Sequence, residues 1–188
     1  ETPCKNRSVK RRDLARMLLV AALVYMENAK LISLSLGKRR AVGGILMPTT
    51  VLASKLSDAA IDPASLEGVL IARLTEPGEH SVFDVVRAVV GQSGRYVERI
   101  RSHELATRIV KRHLVQRGLL REVDAKGLGG LTARKKTVGV CEEILPLEPD
   151  SAKVGAMLVE YRDANGRIYS RLLDDVYNAI YSSSSMIP

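Results

Sequence analysis

The chain has 188 residues with 29 Lys and Arg against 21 Asp and Glu, a formal net charge of +8 and a pI near 9.7. That length fits one domain, or one with a small appendage, able to bury a core without a disulfide or metal staple, and a hydrophobic fraction of 46% is ordinary for a globular protein. With one Phe and no Trp the core must rest on aliphatic residues, the two cysteines (Cys4, Cys141) read as reduced thiols of a cytosolic protein, and the basic balance points to a polyanionic partner.

Residues 1–12 carry Lys5, Arg7, Lys10, Arg11 and Arg12 without hydrophobic periodicity, and a flexible basic arm is expected. A helix is expected from Asp13, as N-cap, to Met26. Its apolar residues lie nearly all round, which implies deep burial. The apolar run Met17–Met26 follows basic residues, as a signal-peptide core would. No small-x-small cleavage site follows it, and it falls short of the roughly 20 residues needed to span a bilayer, so a buried helix is the expectation.

Lys30–Leu36 alternates Leu31, Ser33 and Ser35 with Ile32, Leu34 and Leu36, the period of a strand, with Gly37 as its stop. Ala41–Leu56 reads as a second apolar helix, kinked at Pro48. Asp62-Pro63 reads as a cap and first position for a helix over Ala64–Leu74. Ser81 is the expected cap of a helix over Val82–Val90, closed by Gly91.

A long helical stretch is then expected up to Gly118. On its wheel Leu105, Ala106, Ile109, Val110, His113 and Leu114 share one half, and Arg101, Arg108, Lys111 and Arg112 occupy much of the other. Strands are expected at Leu119–Val123 and Leu131–Val140 around a Gly-rich turn, the second bearing Arg134, Lys135 and Lys136. Ser151–Tyr161 and Ile168–Tyr181 are the expected last helices, separated by a turn at Asp163–Gly166, with 182–188 a frayed tail. The expected class is therefore mainly α: a single helical domain over 13–181 with one or two short β-hairpins, including a winged-helix-like segment.

Charge is concentrated in one region. Residues 95–136 hold twelve basic against four acidic groups, a surplus equal to that of the whole chain. A second basic run, Lys38-Arg39-Arg40, has no acidic residue between Glu27 and Asp58. No chemistry-bearing motif accompanies these charges. His80, His103 and His113 lack metal-ligand spacing, and no phosphate loop, dinucleotide fingerprint or nucleophile elbow is present. His113 falls on an apolar helix face and reads as a core histidine. The pairs Glu142-Glu143 and Asp174-Asp175 are adjacent, point apart on regular structure, and read as solvated. No catalytic residue, metal or cofactor is expected.

Two readings of the basic segment follow. Ser81–Arg134 has the order of a winged helix, in which Arg108, Lys111 and Arg112 would meet DNA phosphates or base edges. Over about residues 14–181 the segment order resembles the Golgi phosphoprotein 3-like family. Leu18–Ile32 resembles the family's opening Leu-rich helix and the hairpin after it, and Ala41–Leu56 its small-residue-rich second helix. Leu66–Val90 resembles the following helix pair, Leu105–Leu120 with Leu128-Gly129-Gly130-Leu131 the basic helix and its strand, and Asp175–Tyr181 the closing helix. The resemblance implies a helical peripheral membrane protein that binds phosphatidylinositol 4-phosphate. With Leu114–Gly118 held in register, the family's two headgroup arginines fall at Glu104 and Thr107, and its headgroup Trp has no counterpart. The expected anion-binding surface is therefore a looser one made by Arg39, Arg40, Arg101, Arg108, Lys111 and Arg112. The expected partner is an anionic phospholipid on a cytoplasmic membrane surface, with DNA as the alternative and a homo-oligomer left open.

Overall fold

The computed structural model describes residues 11–38, 48–57, 60–74, 78–91, 107–113, 120–125, 135–140 and 148–182. Helix α1 runs Arg11–Asn28, and Asp13 lies in its first turn rather than at its cap. It buries Ala15, Leu19, Val20, Leu23, Val24 and Met26. Burial is not all round as the apolar composition suggested: Leu14, Met17 and Tyr25 stand exposed on one side.

The end of α1 is a left-handed cap built without glycine. Lys30 has φ of 56°. The Leu31 amide reaches back to the Met26 carbonyl and the Lys30 amide to the Glu27 carbonyl, both at 2.9 Å. This is the paired hydrogen-bond pattern that normally selects Gly at the left-handed position.

The turned chain enters β1 (Ile32–Lys38), which pairs antiparallel with β2 (Thr49–Lys55) from Ile32↔Lys55 to Lys38↔Thr49. Strand β2 is the centre of a three-stranded sheet, pairing on its other side with the two-residue β3 (His80–Ser81). The helix expected over Ala41–Leu56 is thus corrected. Residues 49–55 are strand, and 41–47 lie outside the described residues. Thr49, Thr50 and Val51 are β-branched, Pro48 precedes them, and pairing with β1 buries Val51 and Ala53 on the core side. Gly37 does not stop β1 either. It remains paired with Thr50, and a side chain there would overlap Leu52.

Helix α2 is short, Leu66–Ile71, and its cap is Ser65, not Asp62. The Ser65 Oγ accepts the Gly68 amide at 3.0 Å and donates to the Asp62 carbonyl at 2.8 Å. Asp62 instead turns the chain before the helix, accepting the Ala64 amide on Oδ1 at 2.8 Å. A Cβ on Gly68 would overlap the Asp62 carbonyl, so this close approach needs glycine.

Helix α3 (Val82–Gly91) buries Val82, Val85, Val86, Val89 and Val90, one continuous stripe at helical spacing. That stripe overrides the β preference of valine, because it packs against α6 (Gly166–Ser182). Helix α6 answers with Leu172, Val176, Ala179 and Ile180. Helix α4 (107–113) follows α3, and the antiparallel pair β4 (Leu120–Ala125) and β5 (Lys135–Val140) follows α4. Helix α5 (Glu148–Ala164) starts three residues before the expected Ser151 and is separated from α6 by Asn165 alone. The protein is mainly helical with a small antiparallel sheet. Its core lies between α1, α3, α6 and the inner face of that sheet. Among the described residues no helix is long and apolar enough to cross a membrane.

Candidate anion-binding face and adjoining cleft

Helix α4 carries the feature that the charge pattern singled out. Ile109 and Val110 are partly buried against the core, while Arg108, Lys111 and Arg112 are exposed on the outward side. Packing one face fixes the helix, and the fixed helix holds three cations in one direction. Arg39, Arg40 and Arg101, the other members of the expected surface, lie outside the described residues, as does Arg134. Lys135 and Lys136 lie on β5, opposite Ala125 and Asp124.

His113 closes the described part of α4. Its side chain is 16% exposed and its Nδ1 lies 3.4 Å from Oδ2 of Asp62, which is 55% exposed. That is an ion-pair distance, but Nδ1 makes no aligned hydrogen bond. His113 therefore ties α4 to the turn before α2, and its expected place on the apolar side of the helix is the observed one.

Beside this contact opens an apolar cleft of about 730 Å³. It is lined by Leu18, Ala21 and Tyr25 of α1, Val110 of α4, and Val154 and Met157 of α5, among others. The polar lining is confined to His113 and to Asp62, Ser65 and Glu67 around the start of α2, apart from the Tyr25 hydroxyl. Tyr25 is 52% exposed and Val154 46%. The exposed side of α1 was not anticipated. The signal was present in the sequence as Leu14, Leu18, Ala21 and Tyr25, a stripe at helical spacing additional to the core stripe.

The second unanticipated group is Asp175. The reading of Asp174-Asp175 as a solvated pair is corrected for its second member. Asp174 is exposed, but Asp175 is 2% exposed. Its Oδ2 accepts the Thr50 hydroxyl at 2.8 Å and the Val51 amide at 2.7 Å, and its Oδ1 lies 3.0 Å from the Arg171 guanidinium one helical turn earlier. Thr50 Oγ1 also lies 3.1 Å from Ser81 Oγ. Asp175 occupies the Leu172–Val176–Ala179 stripe, so an acid in a core stripe was the signal that could have found it. Every partner here belongs to the protein's own frame, so the group is structural rather than a ligand site. Glu142 and Glu143 lie outside the described residues.

A parallel arrangement joins α1 to β1. Glu27 Oε1 accepts the Leu34 amide at 2.9 Å. Tyr161 of α5 is buried beside this carboxylate, and burial first, then Glu27, hold its phenol well above the ordinary tyrosine range.

Among the described residues no group of three or more His, Cys, Asp or Glu side chains is placed to hold a metal ion. No family model, no curated protein and no solved structure matches this chain.

Proposed function

We propose that the protein binds the headgroups of anionic phospholipids at a cytoplasmic membrane surface, through the outward face of α4, and carries out no reaction there. The observation that supports this reading is the placement of Arg108, Lys111 and Arg112 on the exposed side of a helix whose other side is packed. Each cation held near an anionic bilayer contributes about 1 kcal/mol. Three on α4 contribute about 3 kcal/mol on that scale, and Arg39, Arg40 and Arg101 are the further cations that the charge pattern of the sequence proposes for the same surface. The resemblance to the Golgi phosphoprotein 3-like family names phosphatidylinositol 4-phosphate as the first lipid to try. That resemblance carries less weight at 49–55, where β2 stands in place of a helix.

The test is cosedimentation with phosphatidylcholine vesicles containing phosphatidylserine or phosphatidylinositol 4-phosphate at ~0.15 M salt. The expected result is retention on the vesicles, weakened about a hundredfold or more in the Arg108→Glu/Lys111→Glu/Arg112→Glu variant. Failure of the unaltered protein to sediment with either vesicle sinks the reading.

The β4–β5 pair after α4 keeps a second reading in play, because a helix followed by an antiparallel hairpin is the order of a winged-helix DNA-binding protein. Duplex DNA added to the sedimentation assay separates the two. Transfer of the protein to DNA, with a steep salt dependence of binding, favours the regulator.

A further inference from the structure

We propose that the pocket between α6 and the Lys38–Thr49 end of the β1–β2 pair binds a small zwitterion, a phosphate joined through two carbons to an ammonium group, as in phosphoethanolamine. The proposal goes beyond the α4 reading and shares no residue with it.

The pocket holds about 400 Å³, within the roughly 300–1,000 Å³ typical of small-molecule sites. Arg167, Ser170, Arg171 and Asp174 line it from α6, and their spacing places them on one face of that helix. Leu36 of β1 and Thr49 of β2 line it from the sheet. Lys38 stands opposite Thr49 in the register and on the same face of β1 as Leu36, which brings a further cation to the rim.

The fold does not use up these charges. Buried Asp175 draws the Arg171 guanidinium to itself at 3.0 Å, so Asp174 lacks the partner that a spacing of three residues offers. Arg171 is thereby held in place while its side chain stays 32% exposed. Among the described residues the side chains of Lys38, Arg167, Ser170 and Asp174 make no hydrogen bond or ion pair.

A plain anion meets Asp174 on the same wall, and a plain cation meets Lys38, Arg167 and Arg171. A ligand carrying both charges satisfies the two ends together. The midpoint of Arg167 and Arg171 lies five residues before Asp174, about 7.5 Å along the helix axis. A phosphate between the two guanidinium groups and an ammonium at Asp174, each with its charge-assisted hydrogen bond, fit that interval across a two-carbon link. Ser170 offers its hydroxyl to the phosphate, and Leu36, 38% exposed, covers the carbon link.

The group has two sources, a free phosphoethanolamine or the headgroup of phosphatidylethanolamine, and two arms separate them. In one, phosphoethanolamine is titrated into the isotope-labelled full chain and the amide shifts of residues 166–174 are followed, with ethanolamine and inorganic phosphate as separate controls. In the other, sedimentation is compared between phosphatidylcholine vesicles with and without phosphatidylethanolamine, since the methylated ammonium of phosphatidylcholine donates no hydrogen bond. Both arms use the unaltered protein, Arg167→Ala and Asp174→Ala. The two side chains are exposed, so both variants should unfold normally, and thermal unfolding checks this. Saturable shifts below ~10 mM phosphoethanolamine, weakened about tenfold in each variant and weaker for either control, support the proposal with a free ligand as source. Retention that needs phosphatidylethanolamine and is lost in both variants supports it with the lipid as source. Inorganic phosphate that binds as tightly as phosphoethanolamine, with Asp174→Ala binding unchanged, overturns it in favour of a simple anion site. Absence of both the shifts and the phosphatidylethanolamine dependence also overturns it. Neither of these failures touches the α4 reading, which the triple charge reversal on α4 tests with phosphatidylserine vesicles.

Discussion

The Asp175 carboxylate of α6 accepts the Val51 amide of β2 at 2.7 Å, across 124 positions of sequence. Strand β3 pairs only with Leu52 and Ala53, so it leaves the Val51 amide without a strand partner on that side. Asp175 takes the place of the missing strand and also holds the Thr50 hydroxyl. Glu27 does the same for the Leu34 amide of β1. Helix carboxylates therefore finish the hydrogen bonding of a very small sheet.

Removing Asp175 strands several groups at once. Asp175→Ala leaves the Thr50 hydroxyl, the Val51 amide and the Arg171 guanidinium without this acceptor, and a loss of about 3–5 kcal/mol is expected. Asp175→Asn retains one acceptor oxygen and should lose less. Urea unfolding followed by circular dichroism measures both. Equal, small losses would show that the sheet edge is satisfied in some other way.

Tyr161 predicts a specific alkaline instability. Its phenol is raised above the ordinary value in the folded protein. Above about pH 10 an unfolded chain gives up this proton while the folded chain keeps it, so the unfolded state binds fewer protons and stability falls as pH rises. The contribution is fully present below pH ~10 and is lost at up to about 1.4 kcal/mol per pH unit above it. Tyr161→Phe removes the titrating group. The difference in unfolding free energy between variant and unaltered protein should stay flat to about pH 10 and then move in favour of the variant. A difference that remains flat to pH ~12 would show that the phenol is not raised.

Lys30 is the residue at which a glycine should help. It holds φ of 56° at the end of α1, a conformation costing an L-residue about 1 kcal/mol or more. Lys30→Gly relieves that strain at some cost in unfolded-chain entropy, and a net gain of about 0.5–1 kcal/mol is expected. A rise in melting temperature is the readout, and a fall would count against the left-handed cap.

Gly68 is the opposite case. Gly68→Ala drives a methyl group into the Asp62 carbonyl beneath α2. Backbone must shift to make room, and a loss of about 2 kcal/mol or more is expected despite the better helix propensity of alanine. Because Asp62 also faces His113, the movement should reach α4. Amide exchange of residues 107–113 in the variant tests that link.

The sequence by itself determined the mainly helical class, α1 from its unbroken apolar run, α3 and α6 from apolar residues recurring at helical period, a break between the last two helices within Asp163–Gly166, and the β4–β5 pair from two segments around a Gly-rich turn. It also placed Arg108, Lys111 and Arg112 opposite Ile109 and Val110, since a wheel needs only local geometry. Tertiary structure alone decided the rest. Residues 49–55 are apolar and small enough for helix or strand, and the partner β1 settled the choice by pairing their backbone. Asp62 and Ser65 are both competent caps, and the close approach of Gly68 to the Asp62 carbonyl selected Ser65. Asp175 reads as a surface acid until Thr50, Val51 and Arg171 surround it. The cleft exists only because α1 meets α4 and α5 on a side that its composition marks as core. In each case the deciding energy comes from groups far apart in the chain, and local periodicity carries no record of them.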